Sequence, residues 1–114
     1  MHQSVNVATN AKIIEVLKAE FIGESADVLR ATLSPGGRAE LLDALGGAVL
    51  LAYILGRRCG ITFDELDEDI IQKTDLGIAD MHRLESSFGD LSLLKKHFES
   101  GNTRNFGQDK KRRL

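Results

Sequence analysis

The stretch that decides the fold is Asp43-Ala44-Leu45-Gly46-Gly47-Ala48-Val49-Leu50-Leu51-Ala52-Tyr53-Ile54-Leu55-Gly56-Arg57-Arg58-Cys59-Gly60. From Ala44 to Gly56 it runs 13 residues without a charge, against the roughly 20 apolar residues that a bilayer-spanning helix needs. The surrounding pattern predicts one helix from about Arg38 to Arg58, apolar around most of its circumference after Asp43. Neighbouring helices usually cover a helix of that kind on several sides, so it is expected to be the most buried element of a bundle. Arg57 and Arg58 suit its C-terminal end, where the macrodipole favours cations, and Gly60 can supply a left-handed cap. Gly46 and Gly47 inside the helix cost roughly 1 kcal/mol each relative to Ala, which points to a close approach by another helix.

Upstream, Ser34-Pro35-Gly36-Gly37 breaks the chain. Before it, Ile13, Ile14, Leu17, Phe21 and Val28 recur at helical spacing from Asn10 onward. Residues 1–9 are polar and are expected to form a frayed lead-in. Downstream, Thr62-Phe63-Asp64-Glu65 reads as a capping box, with further acids at 67, 68 and 69 where the dipole favours them. Phe63, Leu66, Ile70, Gly77, Met81 and Leu84 carry this third apolar stripe to about Glu85. Ser86-Ser87-Phe88-Gly89 is a break, and Asp90 can cap a short last helix over 91–99. No run of alternating β-branched residues lies between turn dipeptides. The reading is all-α, a four-helix bundle.

The 114 residues are 42% apolar and 28% charged, a soluble globular balance that excludes wholesale disorder or a fibrous repeat. The length suits one helical domain, placed at 10–100. The lone cysteine, Cys59, excludes an internal disulfide framework and a Cys-cluster zinc site. Residues 101–114 hold Arg104, Lys110, Lys111, Arg112 and Arg113 against Asp109, net +4, which leaves −6 on residues 1–100. Four basic residues without interleaved aromatics read as a solvated, disordered tail rather than a nucleic-acid contact. Met1-His2-Gln3-Ser4 lacks the basic-then-apolar layout of a signal peptide. The expectation is a cytoplasmic protein with no membrane partner.

Chemistry-bearing residues concentrate on the first two helices. Glu20, Glu24 and Asp27 stand at i, i+4 and i+7, one helical face, where like charges repel. Glu40 and Asp43 form a second pair at i, i+3. Two antiparallel helices joined by a tight loop could bring these acids together as oxygen ligands for Mg²⁺, with phosphates and waters completing its octahedron. The alternative is that they form the wet faces of two amphipathic helices. Elsewhere the signals are weaker. His82 and Glu85 are one turn apart without a second histidine element, and His97 sits beside Lys95 and Lys96. Gly36-Gly37 lacks the strand and the Lys-Ser/Thr of a phosphate loop.

Ala19-Glu20-Phe21-Ile22-Gly23-Glu24 resembles the first motif, Glu-Glu-x-x-Glu, of the MazG-like family within the all-α nucleotide pyrophosphohydrolase superfamily. Leu42 to Leu50, running on to Gly56-Arg57-Arg58-Cys59-Gly60-Ile61, resembles that family's second helix and the Gly-Ile turn after it. The similarity extends from Asn10 through Leu91. It implies a Mg²⁺-dependent hydrolase that cleaves a nucleoside triphosphate to monophosphate and pyrophosphate, working as a homodimer or larger homo-oligomer. The metal candidates carried over are Glu20, Glu24, Glu40 and Asp43, with Lys18, Arg38 or Arg57 as phosphate contacts. Two departures stand out. Phe21 occupies the place of the second glutamate of the first motif. The second motif, Glu-x-x-Asp, has two registers: Glu40-Leu41-Leu42-Asp43 literally, or, without a gap before the turn, Ala44 and Gly47. The gap-free register fits the flanks better and removes both ligands, so catalysis is expected to be weak or lost.

Overall fold

The computed structural model describes the backbone of residues 2–80 and 89–113, and the side chains of 7–77 and 89–101. Its helices are α1 (His2–Thr32), α2 (Arg38–Arg58), α3 (Phe63–Asp80) and α4 (Asp90–Arg113), with no strand among the described residues. The all-α reading holds. α1 begins well before Asn10, and the segment expected to be a frayed lead-in is helical. No Gly or Pro interrupts residues 2–22, so nothing stops propagation toward the N-terminus. α4 likewise runs past Glu99, through backbone of the basic segment expected to be disordered. The predicted break at Ser86–Phe88, and with it His82 and Glu85, lies outside the described residues. The chain divides into two compact units, Met1–Phe63 and Asp64–Leu114, where the sequence suggests a single domain over 10–100.

The first unit is built on an antiparallel hairpin of α1 and α2. Along α1 the inward positions are Asn10, Ile14, Leu17, Phe21, Glu24, Val28 and Ala31, half-buried or, for Ala31, buried. Their spacing alternates four and three, the seam of coiled-coil-like packing. Leu41, Ala44, Ala48, Leu51 and Leu55 answer it on α2 with the same alternation. The turn between them uses Gly36 at φ +70 and closes with Gly37 N–H donating to the Ser34 carbonyl at 3.2 Å. A side chain at Gly37 would be crowded, since its Cβ would lie 3.1 Å from the Ala31 carbonyl oxygen.

At the far end α2 stops in a Schellman motif. Ile61 N–H donates to the Gly56 carbonyl at 2.8 Å and Gly60 N–H to the Arg57 carbonyl at 3.1 Å. Gly60, at φ +91, takes the left-handed position predicted for it. Arg57 lies over the Phe63 ring at 5.7 Å, and Phe63 meets Tyr53 edge-on at 5.9 Å.

Among the described residues α2 has the largest share of covered positions, as expected, but the cover is thin: Ala44 is its one buried residue and Leu42, Leu45, Val49 and Leu50 are 45–61% exposed. Within its unit α2 has a single helix packed along it, and one helix can cover only one side. By length and composition α2 also passes as long and apolar enough to cross a membrane, so the uncharged run of 13 residues understated its reach. A window that tolerates flanking charges takes in both ends of the helix.

α3 begins at Phe63, the last residue of the first unit, directly after Thr62 as the capping box predicts, and belongs to the second unit from Asp64 onward. Leu91 of α4 packs against Gly77, where an added Cβ would meet its Cδ1 at 3.0 Å. Lys95 pairs with Asp75 at 2.8 Å, and that hydrogen bond with the nearby carboxylate charge holds the ammonium above its usual range. Thr74 is buried and spends its hydroxyl on the Ile71 carbonyl.

Candidate functional site

The hairpin seam carries one carboxylate, Glu24, and its position is explained by the residue opposite. A Cβ built on Gly47 would lie 2.8 Å from the Glu24 Cδ and 2.9 Å from each carboxylate oxygen. Glu24 therefore lies over bare α2 backbone, and Gly47 is the close approach that the Gly-Gly pair predicts. Gly46 faces the other way, with nothing within 4 Å of an added Cβ. Replacing Gly47 by Ala should gain the helix propensity of about 1 kcal/mol but must push the Glu24 carboxylate aside, so little net change in stability is expected. In a Glu24→Ala background the same change should stabilise by about 1 kcal/mol. A denaturant double-mutant cycle measures the difference, and an equal effect in both backgrounds would refute the contact.

The remaining acids do not join Glu24. Glu20 is exposed on α1, one position off the seam. Glu40 and Asp43 line a hollow of about 250 Å³ beside the turn, together with Asp27, Arg30, Ser34 and Ala44. Arg30 is ion-paired with Asp27, so a cation of the chain's own relieves the repulsion expected of the Glu20-Glu24-Asp27 face. Sequence reasoning passed over Arg30, although its i, i+3 spacing from Asp27 was there to be read. Lys18 is engaged with Glu15 at 2.9 Å. Arg57 is ten residues beyond Gly47, about 15 Å along the helix. Cys59 is exposed and unbridged, and His97 stacks edge-on to Phe98 at 6.1 Å. Among the described residues no three carboxylate, imidazole or thiol groups assemble into a set able to hold a metal ion.

The geometry bears on the two registers. Ala44, 3% exposed, and Gly47 are α2 positions turned onto α1, Gly47 against Glu24. Glu40 and Asp43 sit one turn closer to the loop. Phe21 lies on the packed seam of α1, one turn before Glu24. The first two helices of this all-α chain thus pair antiparallel, with a glutamate seated across their seam.

Comparison with known families agrees. The MazG-like family matches over residues 7–91, most of the chain, and the chain belongs to that family, within the nucleotide pyrophosphohydrolase superfamily. Neither a curated protein nor a solved structure matches it.

Proposed function

We propose that this MazG-like protein acts in the cytoplasm through association with a second copy of itself, and that its pyrophosphohydrolase activity is weak or lost. The observation that carries the catalytic half is the Glu24–Gly47 contact. The α2 position facing the one seam carboxylate has no side chain, the position a turn before it is a buried alanine, and Phe21 fills the seam on α1. None of the three offers an oxygen, and Mg²⁺ needs several in near-octahedral placement. The residues present do not fit the metal that the family uses.

Association is supported by the other side of α2. Leu42, Leu45, Gly46, Val49 and Leu50 follow i, i+3, i+4, i+7 and i+8, one continuous apolar face, and all are exposed. Exposed apolar surface of that continuity marks an interface more often than a solvated face.

A second reading keeps the enzyme, a Mg²⁺-dependent nucleoside triphosphate pyrophosphohydrolase, and rests on Glu40 and Asp43 sharing a hollow with Asp27. Pyrophosphate release from the common nucleoside triphosphates, with Mg²⁺ or Mn²⁺, separates the two. Turnover near background, unchanged in Glu24→Gln, is expected. Robust turnover abolished by Glu24→Gln would restore the enzyme.

A further inference from the structure

A hollow of about 720 Å³ lies between α1 at Val7–Ile13 and the C-terminal end of α2. Its charged walls are Arg57 and Arg58, its neutral polar ones Thr9 and Asn10, and Val7 and Ile13 supply an apolar floor. A smaller hollow of about 290 Å³ adjoins it, sharing both arginines and adding Thr62. Among the described residues no carboxylate lines either one. We propose that this arginine-walled hollow binds a small organic phosphate, the phosphate on Arg57 and Arg58 and the organic part against Val7 and Ile13.

Several features lead to this assignment. Residues 1–100 carry −6 overall, yet neither arginine forms an ion pair with a described residue. Their usual task at a helix end, supporting the last carbonyls, is already done by the Schellman hydrogen bonds and by Asn10, whose Nδ2 donates to the Arg58 carbonyl at 3.1 Å. That same bond ties α1 to the end of α2 and fixes the two walls relative to each other. Arg57 lies over the Phe63 ring, which leaves the in-plane N–H groups of its guanidinium to reach an anion. Paired guanidiniums match phosphate oxygens bidentately, and the volume suits a drug-sized ligand with an apolar portion. At about 15 Å along α2 from Gly47, the hollow is separate from the Glu24 seam, and the inference does not depend on the catalytic reading.

The test uses the full-length chain in EDTA, so that no divalent metal contributes. Phenyl phosphate is titrated by NMR and calorimetry, with inorganic phosphate and benzoate alongside. Saturable amide shifts at Thr9, Asn10 and Gly60 are expected, with phenyl phosphate binding several-fold tighter than either partial probe. The pair Arg57→Gln with Arg58→Gln should weaken binding at least tenfold. A charge-matched pair in the other unit, Lys73→Gln with Lys96→Gln, should change it less than twofold. Unmoved Thr9, Asn10 and Gly60 amides in the unaltered chain would overturn the proposal whether or not the arginine variant folds. So would equal losses in the two variant pairs, which would mean diffuse charge attraction and no site.

Discussion

At tens of micromolar the protein is expected to sediment as a homodimer or larger assembly, and Leu45→Glu or Val49→Lys should turn it into monomer. The reason is how little one chain buries. Among described residues only Ala31 and Ala44 are buried apolar side chains, while Ile22, Leu29, Leu42 and Leu50 are all more than 60% exposed. Covering a leucine-sized side chain stabilises by about 1.5–3 kcal/mol. Leu45 and Val49 are 45% and 56% exposed, so about half of that is available at each. A two-fold interface carries each substitution twice, and one change removes about 1.5–3 kcal/mol before the cost of burying the new charge. Association should therefore weaken by roughly tenfold or more, at about 1.4 kcal/mol per factor of ten. Sedimentation velocity across a dilution series measures it. A wild-type chain that runs as a monomer at these concentrations would remove the association half of the proposed function.

The same numbers show where sequence reading reached and where it stopped. Helix positions and breaks around Ser34–Gly37 and Gly60 were legible because glycine and proline act locally, through φ, whatever packs nearby. Phe21 was legible as a seam residue because the four–three spacing from Ile14 to Val28 is periodic in the sequence itself. That α2 is the most covered helix was legible, but how much of it stays uncovered was not. Periodicity says that a helix has apolar faces, but not whether the cover comes from the same chain. The partner of Glu24 was out of reach for a related reason. Its neighbour is 23 residues away and has no side chain, so no pairing of residue types announces it. The register of the hairpin decides it, and that register comes from the summed packing of the two seams. The arginine-walled hollow was missed because Arg58 was accounted for as a helix end, and Arg57 was weighed as a phosphate contact only for a site on the acidic face.

The largest change should come from putting oxygens back where the hairpin faces itself. The triple variant Phe21→Glu, Ala44→Glu, Gly47→Asp is expected to bind Mg²⁺, whereas the unaltered chain should show no heat of binding. Positions 44 and 47 face α1, and position 21 is one turn from Glu24, so the restored acids and Glu24 would crowd one stretch of the seam. An aspartate at 47 starts from a Cβ already within 2.9 Å of the present Glu24 carboxylate oxygens. Without metal these charges repel and the Phe21 packing is lost, so in EDTA the variant should melt below the wild type. Mg²⁺ at a hundred times its dissociation constant returns about 2.7 kcal/mol, because it binds the folded hairpin and not the open chain. For a chain of this size that is roughly a 10 °C rise in Tm, against no shift for the wild type. Should the variant be unfolded in EDTA, the same linkage appears as helix recovered by Mg²⁺ in circular dichroism. Absence of both responses would mean that positions 44 and 47 are not where the family places its acids. The literal register at Glu40 and Asp43, and the enzyme reading that depends on it, would then take precedence.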